Sequence, residues 1–414
     1  MRRAAWAGLL IALCLLASTV AFHRLLTGRR AVTVWDLQPL WEAGRWLLAG
    51  RGSPYSAALT ERLQRLSYGR PALAGEDPRA FVYPPYVLLL VAPILPLPLA
   101  WAQAAWFTVL LTSVFLGVLG TLRLVGWNGS PGRALLAVLW ATFLYPVAWA
   151  LLLGQVALVI FALIVGALWA CDRQRLGWAG ALLALATAKP QMSFLLAPAL
   201  LAWVLLGPWR ASNPRGARTF LTAFAGTLGA LCAASFLAVP AWPVELARAG
   251  QGYLEAQPFA PPVVLLGAAL PRPWAAAVTG AALLLLAAWL AWLWWRGWAS
   301  ARLPLTAVAA TLVVTALTAP RTSIVNQAPL LLGLWLGLEG LARAGWPGKA
   351  AAAALWLLLL GGLWALDGWC FPALASAEHA RAQQHIISPI LPLVTLSLLT
   401  LRAARGWRCR PSPA

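Results

Sequence analysis

The sequence predicts an all-α integral membrane protein, a polytopic helix bundle of about 12 transmembrane segments. Three observations predict it. Hydrophobic residues make up 62% of the 414-residue chain, and the mean hydropathy is +0.77. Long apolar runs recur from one end to the other rather than in a single block. Lipid offers the backbone no hydrogen-bond partner, and these runs are too long for barrel strands, so the spans are expected to be helices.

The expected spans lie near 4–24, 101–124, 134–152, 156–171, 176–188, 191–208, 219–239, 274–295, 303–318, 326–342, 350–370 and 387–402. Arg2, Arg3 and the apolar run 4–22 fit a secretory signal with Thr19-Val20-Ala21 as a cleavage site, or an uncleaved first helix. The many later spans favour the second. With these spans the basic groups Arg2/Arg3, Arg123/Arg133, Arg173/Arg175, Arg210/Arg215/Arg218, Arg296/Arg302, Arg343/Lys349 and Arg402/Arg405/Arg408/Arg410 fall on one side. The positive-inside rule makes that side cytoplasmic and puts both termini there. Residues 83–98 are apolar but carry Pro84, Pro85, Pro93, Pro96 and Pro98, too many for a regular spanning helix. They are expected to form a re-entrant or surface helix. The chain then reads as a single membrane domain, 1–414, with residues 25–82 as a long first extracytoplasmic loop carrying amphipathic helices.

Composition excludes several classes. The net charge of +20 comes from arginines spread over short loops, which sets orientation rather than a nucleic-acid surface. Tryptophan, at 26 residues, suits interfacial belts and sugar-binding surfaces alike. Cys14, Cys171, Cys232, Cys370 and Cys409 have neither disulfide nor zinc spacing, and His379 and His385 lack an acidic partner at ligand spacing. No metal or other cofactor is expected. No P-loop, dinucleotide turn or nucleophile elbow is present, so an enzyme of this kind would take an activated substrate from the membrane itself.

The polar residues that interrupt the apolar runs are the candidates for chemistry. Acidic residues number eleven, and Asp36, Glu42, Glu61, Glu76 and Asp77 all lie in the first loop. Asp36–Ala49 reads as a surface helix, with Leu37, Leu40, Trp41, Gly44, Leu47 and Leu48 on one face and Gly50 as its cap. Asp36 heads that helix. The ordinary reading is an N-cap accepting a backbone N–H, and the functional reading is a carboxylate serving as a general base. Gly154-Gln155 is either a plain helix-hairpin turn or a tight backbone that presents an amide. Lys189, the only lysine before position 349, is followed by Pro190 and Gln191 and is either a snorkelling side chain or a counter-charge for a phosphate. Pro320-Arg321-Thr322-Ser323 with Asn326-Gln327 is a dense polar patch in which Arg321 suits an anion, or else a capped external turn. Glu245, Tyr253, Glu255, Asp367, Glu378, His379 and His385 read more simply as solvated loop residues, and Asp172 as a surface ion pair.

Taken in order, Asp36, Gly50-Arg51-Gly52-Ser53-Pro54-Tyr55, Phe81-Val82-Tyr83-Pro84-Pro85, Gly154-Gln155, Ala188-Lys189-Pro190-Gln191 and Ala319-Pro320-Arg321 resemble glycosyltransferase family 87. The resemblance runs from about residue 33 to 340. It implies the GT-C membrane fold, an active site on the extracytoplasmic face of the cell membrane, and a polyprenyl-phosphate-mannose donor. If Asp36 takes the proton from an acceptor hydroxyl that attacks the anomeric carbon in line, the sugar would pass with inversion to a glycolipid or glycan acceptor of the cell envelope. Asp36 matches the catalytic acidic residue. Gln155, Lys189 and Arg321 match polar positions near the donor phosphate and acceptor, and Tyr83, Asn326 and Gln327 complete the expected substrate-binding set. Leu37 stands where the resemblance leads one to expect an aromatic residue, and Asn326 and Gln327 stand where members often carry a histidine and an aspartate. The rival classes are a transporter or flippase of a lipid-linked saccharide and a non-catalytic assembly subunit. A transporter would place its polar site in broken helices near the bilayer midplane, often within repeats. Here the polar residues sit at turns on one face and no repeat is visible.

Overall fold

The computed structural model describes residues 15–24, 35–127, 129–256, 260–268, 270–298, 300, 302–320, 322–370 and 383–405. Among them the regular structure is entirely helical. Residues 15–24 form α1. The first loop supplies α2 (Leu37–Leu48) and α3 (Ala57–Tyr68). After the short α4 (Leu88–Val91) come α5 (Leu99–Leu124), α6 (Pro131–Phe143), α7 (Tyr145–Leu153), α8 (Ala157–Asp172) and α9 (Leu176–Ala186). Then follow α10 (Pro190–Ser193), α11 (Leu196–Leu206), α12 (Pro208–Ser212), α13 (Pro214–Ala238), α14 (Trp242–Ala256) and α15 (Pro262–Leu265). The chain continues through α16 (Arg272–Trp298), α17 (Leu305–Thr318), α18 (Leu331–Ala342), α19 (Gly345–Cys370) and α20 (Ile390–Ala404).

The expected number of spans meets a different pattern of lengths. Five described helical stretches are long and apolar enough to cross a membrane: Leu99–Leu124, Pro214–Ala238, Arg272–Trp298, Gly345–Trp369 and Gln383–Ala404. A sixth crossing is possible through α6 and α7, which bend by 67° at Leu144. Five other expected spans, α8, α9, α11, α17 and the run Ala328–Ala342 that includes α18, are apolar helices of 10–17 residues. At about 1.5 Å per residue, the longest of these falls short of a ~30 Å hydrocarbon core. The reason is visible at their ends. Helix α8 starts just after Gln155, α9 stops just before Lys189, and α17 stops just before Pro320. The backbone breaks where polar residues must be presented. The first expected span, 4–24, lies largely outside the described residues.

Residues 83–98 contain two 3₁₀ turns, Pro85–Val87 and Ala92–Ile94, flanking α4. The run Pro85–Ile94 is about 15 Å long at an α-helical rise and lies between α2 and α13. The proline spacing prevents a regular helix from extending further. Helix α2 buries Leu37, Leu40, Trp41 and Gly44 as the periodicity predicts. Leu48, placed on the same face by the sequence, is instead 77% exposed. The chain leaves α2 through Gly50 at φ 65°.

The core is built from α5, α8, α9 and α13, with α17, α18 and α20 packed beside them. Helix α16 buries only Leu293 and Trp294, which leaves most of its apolar surface for lipid. The α9–α13 contact is close because α9 carries Gly180. A Cβ there would stand 2.2 Å from the Phe220 carbonyl oxygen and 2.9 Å from the Phe224 nitrogen, both backbone atoms that cannot rotate away. Small residues at such crossings let helices approach where no hydrophobic effect drives them together. Gly180→Ala is therefore expected to destabilise the bundle by roughly 1–3 kcal/mol through overpacking. Gly226→Ala on α13, where a new Cβ meets nothing within 4 Å, is the matched control. Thermal unfolding in detergent should show a lower midpoint for the first variant only, and equal midpoints would contradict the close packing.

Candidate active site

Three chain breaks assemble the site. Helix α7 ends at Gly154, whose φ of 72° is the left-handed conformation that costs a Cβ-bearing residue about 1–2 kcal/mol. The Trp106 indole donates to the Gly154 carbonyl at 2.8 Å, and the Gln155 N–H returns to Ala150 O at 2.8 Å. These bonds fix the turn that presents the Gln155 side chain. Pro190 opens α10, and its ring pushes the preceding residue out of the helical region. Lys189 accordingly sits at φ −125°, ψ 83° between α9 and α10, 2% exposed. The first loop arrives last. The Asp36 N–H donates to Leu153 O at 2.9 Å, which docks the start of α2 on the end of α7.

The side chains then form a continuous polar chain. Lys189 Nζ donates to Gln155 Oε1 at 2.7 Å. Gln155 Nε2 donates to Asp36 Oδ2. The other carboxylate oxygen faces Arg79 Nη1 at 3.7 Å. Asp36 occupies the N-cap position of α2 but makes no side-chain cap hydrogen bond, so the ordinary N-cap reading fails: its carboxylate is turned toward the bundle instead. Tyr83 flanks the chain, its ring centroid 6.0 Å from Lys189 Nζ. Tyr83 is held in turn by Tyr55, whose hydroxyl donates to the Tyr83 carbonyl at 2.5 Å. That bond joins the Gly50–Tyr55 and Phe81–Pro85 segments.

A cavity of about 380 Å³ opens onto this chain. Asp36, Tyr83, Gln155, Lys189 and Asn326, all singled out in the sequence, line it. Asp77, Arg79, Gln191, Tyr253 and Ser323 line it as well. Among the described residues, Asn326 Oδ1 has no hydrogen-bond partner although the residue is buried. Gln327 does not join the cavity. Its amide donates to the Ser388 carbonyl at 2.6 Å on the far side of the 324–326 turn, which is a correction to its expected role in substrate binding. Arg321 lies outside the described residues. Of the lesser candidates, Glu245 accepts from Ser53, Glu255 from Gln251 at 3.1 Å, and Asp367 from Gln383 at 3.2 Å. His385 is exposed, and Glu378 and His379 lie outside the described residues.

The other loop acids are occupied. Glu42 pairs with Arg62 at 2.9 Å, Glu61 with Arg65 at 2.7 Å and Glu76 with Arg70 at 2.7 Å. The sequence reading missed Arg79 and passed over Asp77 and Tyr253. Asp77 Oδ1 accepts the Arg79 backbone N–H at 2.7 Å, and its Oδ2 accepts from the Tyr253 hydroxyl. Arg79 stands two residues before Phe81, just outside the motif already picked out. Among the described residues, no group of three or more His, Cys, Asp or Glu side chains is gathered as a metal site requires.

A family profile described as Glycosyltransferase family 87 matches residues 81–320. The chain belongs to glycosyltransferase family 87. It is therefore a membrane glycosyltransferase, with a sugar donor and an acceptor as substrates. No curated protein and no solved structure matches the chain. The matched span of this family 87 chain contains Tyr83, Gln155 and Lys189, whereas Asp36, Asp77 and Arg79 precede it.

The electrostatics of Asp36 follow from its surroundings. Its side chain keeps a quarter of its surface open to the cavity. Desolvation nevertheless pushes its carboxyl above the ordinary value of 3.8, and the Asp77 charge adds to that. Arg79, Lys189 and the Gln155 hydrogen bond oppose the rise without cancelling it. A carboxyl that holds its proton more tightly in the fold than in the unfolded chain favours the fold below 3.8. That contribution is lost as the pH rises through the raised value. Asp36→Asn removes the titration. The thermal midpoint of this variant minus that of the parent is therefore expected to increase as the pH is raised from 4 toward 8. A gap that is flat or shrinks with pH would contradict the burial argument.

Proposed function

We propose that the protein transfers a sugar, mannose in the simplest case, from a polyprenyl phosphate to an extracytoplasmic glycolipid or glycan acceptor, with inversion at the anomeric carbon. The observation that carries this reading is Asp36 held on the Gln155–Lys189 pair at the wall of the cavity. In the proposed reaction the acceptor hydroxyl attacks the anomeric carbon as Asp36 removes its proton. The bond from the anomeric carbon to the phosphate oxygen breaks, and its electron pair leaves with the polyprenyl phosphate. Lys189 supplies positive charge on the phosphate side, and a fixed charge of this kind stabilises the departing anion more than the bound ground state. The raised proton affinity of Asp36 suits a base, because proton transfer is most efficient when the base titrates close to the working pH. Asn326 Oδ1 offers an acceptor to a sugar hydroxyl.

The donor is already activated as a phosphodiester, so the proposed mechanism includes no cofactor. The lipid tail remains in the bilayer while the head enters the cavity. A GT-C arrangement of about 12 spans in the cell membrane, with both termini cytoplasmic and the cavity outside, agrees with the one-sided arginine pattern.

The test uses purified protein in lipid, polyprenyl-phosphate mannose labelled in the sugar, and a glycolipid extract as acceptor. Asp36→Asn is expected to lower transfer by ~10²–10⁴, the usual contribution of a positioned general base. Lys189→Ala is expected to lower it by ~10²–10³, the scale of losing one electrostatic stabiliser. Parent-level transfer by a folded Asp36→Asn protein would remove Asp36 from the mechanism.

A further inference from the structure

Arg79 is the one buried cation in the cavity that the sequence did not single out. Its geometry separates it from a substrate-binding arginine. The side chain is 5% exposed and its donors are already directed at protein atoms. Nη2 donates to the Trp35 carbonyl at 2.6 Å, and Nε donates to Ser67 Oγ at 3.1 Å. Nη1 faces Asp36 Oδ1 at 3.7 Å. The guanidinium also lies over the Trp35 ring, 5.5 Å from its centroid. One planar fork therefore ties together the residue before Asp36, the carboxylate of Asp36, and Ser67 near the end of α3.

The backbone of Arg79 is equally constrained. Its φ is 55°, left-handed and uncommon for a residue with a side chain. Asp77 stabilises that turn by accepting the Arg79 N–H, and Asp77 is held from the opposite side by Tyr253 of α14. A strained conformation persists only where surrounding contacts over-determine it, and such residues gather at functional sites.

We infer that Arg79 is the positioning residue for Asp36, fixing the carboxylate's orientation and holding its negative charge in the cavity wall. This inference rests on the reading of Asp36 as the base. The charged groups that face Asp36 are Arg79 and Asp77 from the first loop and Lys189 from the α9–α10 break, with Tyr68, Tyr83 and Tyr253 also lining the cavity. Of the two cations, Arg79 is the one in direct ion-pair range, because Lys189 reaches Asp36 through Gln155.

The experiment compares the parent, Arg79→Lys and Arg79→Asn in lipid. Asparagine tolerates the left-handed backbone, so a loss in that variant is not a backbone effect. Two readouts are taken. The first is the pH profile of transfer. Loss of an opposite charge at this range moves a carboxylate by ~1–3 pH units, so the acidic limb should move up by about one unit or more in Arg79→Asn. At a fixed pH below the limb, each unit is a tenfold loss of kcat, whereas KM for the donor should change little. Arg79→Lys should restore part of the shift, because its charge remains but its fork does not. The second readout needs no activity. It is the pH at which the thermal-stability gap between Asp36 and Asp36→Asn levels off, measured in the Arg79 and Arg79→Asn backgrounds. That pH should rise when the guanidinium is removed. An unmoved gap in folded proteins would overturn the inference, even if Asp36 proves to be the base. A moved gap beside parent-level transfer by Asp36→Asn would uphold the coupling and sink the catalytic reading instead.

Discussion

The amide of Gln155 sets the terms for the rest of the structure. It gives a hydrogen bond to Asp36 and takes one from Lys189, so it joins an acid of the first loop to an amine buried between two helices. In a bundle of apolar helices, such groups are stable only when partnered. Satisfying them requires three separate pieces of chain to converge on one point. Two of them do so by giving up helix, because α7 and α8 are separated by the Gly154 turn and α9 stops before Lys189, and the third, the first loop, docks through the Asp36 N–H on the Leu153 carbonyl. The short helices and the cavity are the same fact seen from two sides.

Burial also sets the chemistry of the acid. Water would hold Asp36 ionised without help, but it would also compete for the reacting sugar. Within the cavity the carboxylate loses hydration, and its proton affinity rises despite Arg79, Lys189 and Gln155. The result is a carboxyl that holds its proton more tightly than a surface aspartate's, with burial opposing the charge and fixed partners favouring it. Where the pH lies above the raised value, keeping the charge in the fold costs stability.

Much of this was legible in the sequence, for a definite reason. In an apolar chain, a break such as Gly154-Gln155 or Lys189-Pro190 has few explanations, so Asp36, Gln155 and Lys189 stand out and do converge. The acidic cluster of the first loop was less informative than its density suggested. Glu42, Glu61 and Glu76 are paired with arginines of the same loop, and only Asp36 and Asp77 reach the cavity. Arg79 was hidden because arginine in a long loop reads as charge balance, and nothing local reveals that it folds inward. Asn326 and Gln327 are neighbours of similar chemistry. The 3₁₀ turn Ile324–Asn326 sends one to the cavity and the other to Ser388, a choice that depends on tertiary contacts. Hydropathy placed the ends of the short apolar helices closely, 156–171 against Ala157–Asp172 for example, but it registered 134–152 and 191–208 as single runs across the breaks at Leu144 and after Ser193.

The most direct test of the account is the stereochemistry of a single transfer. A single base positioned in the cavity, with no covalent sugar intermediate, requires attack opposite the leaving phosphate. With a donor carbon-labelled at the anomeric position, nuclear magnetic resonance of the isolated product should show the anomeric configuration opposite to that of the donor. Retention of configuration would mean either two displacements through a sugar bound covalently to the protein or attack from the face that the phosphate leaves. It would contradict the assignment of Asp36 as a general base.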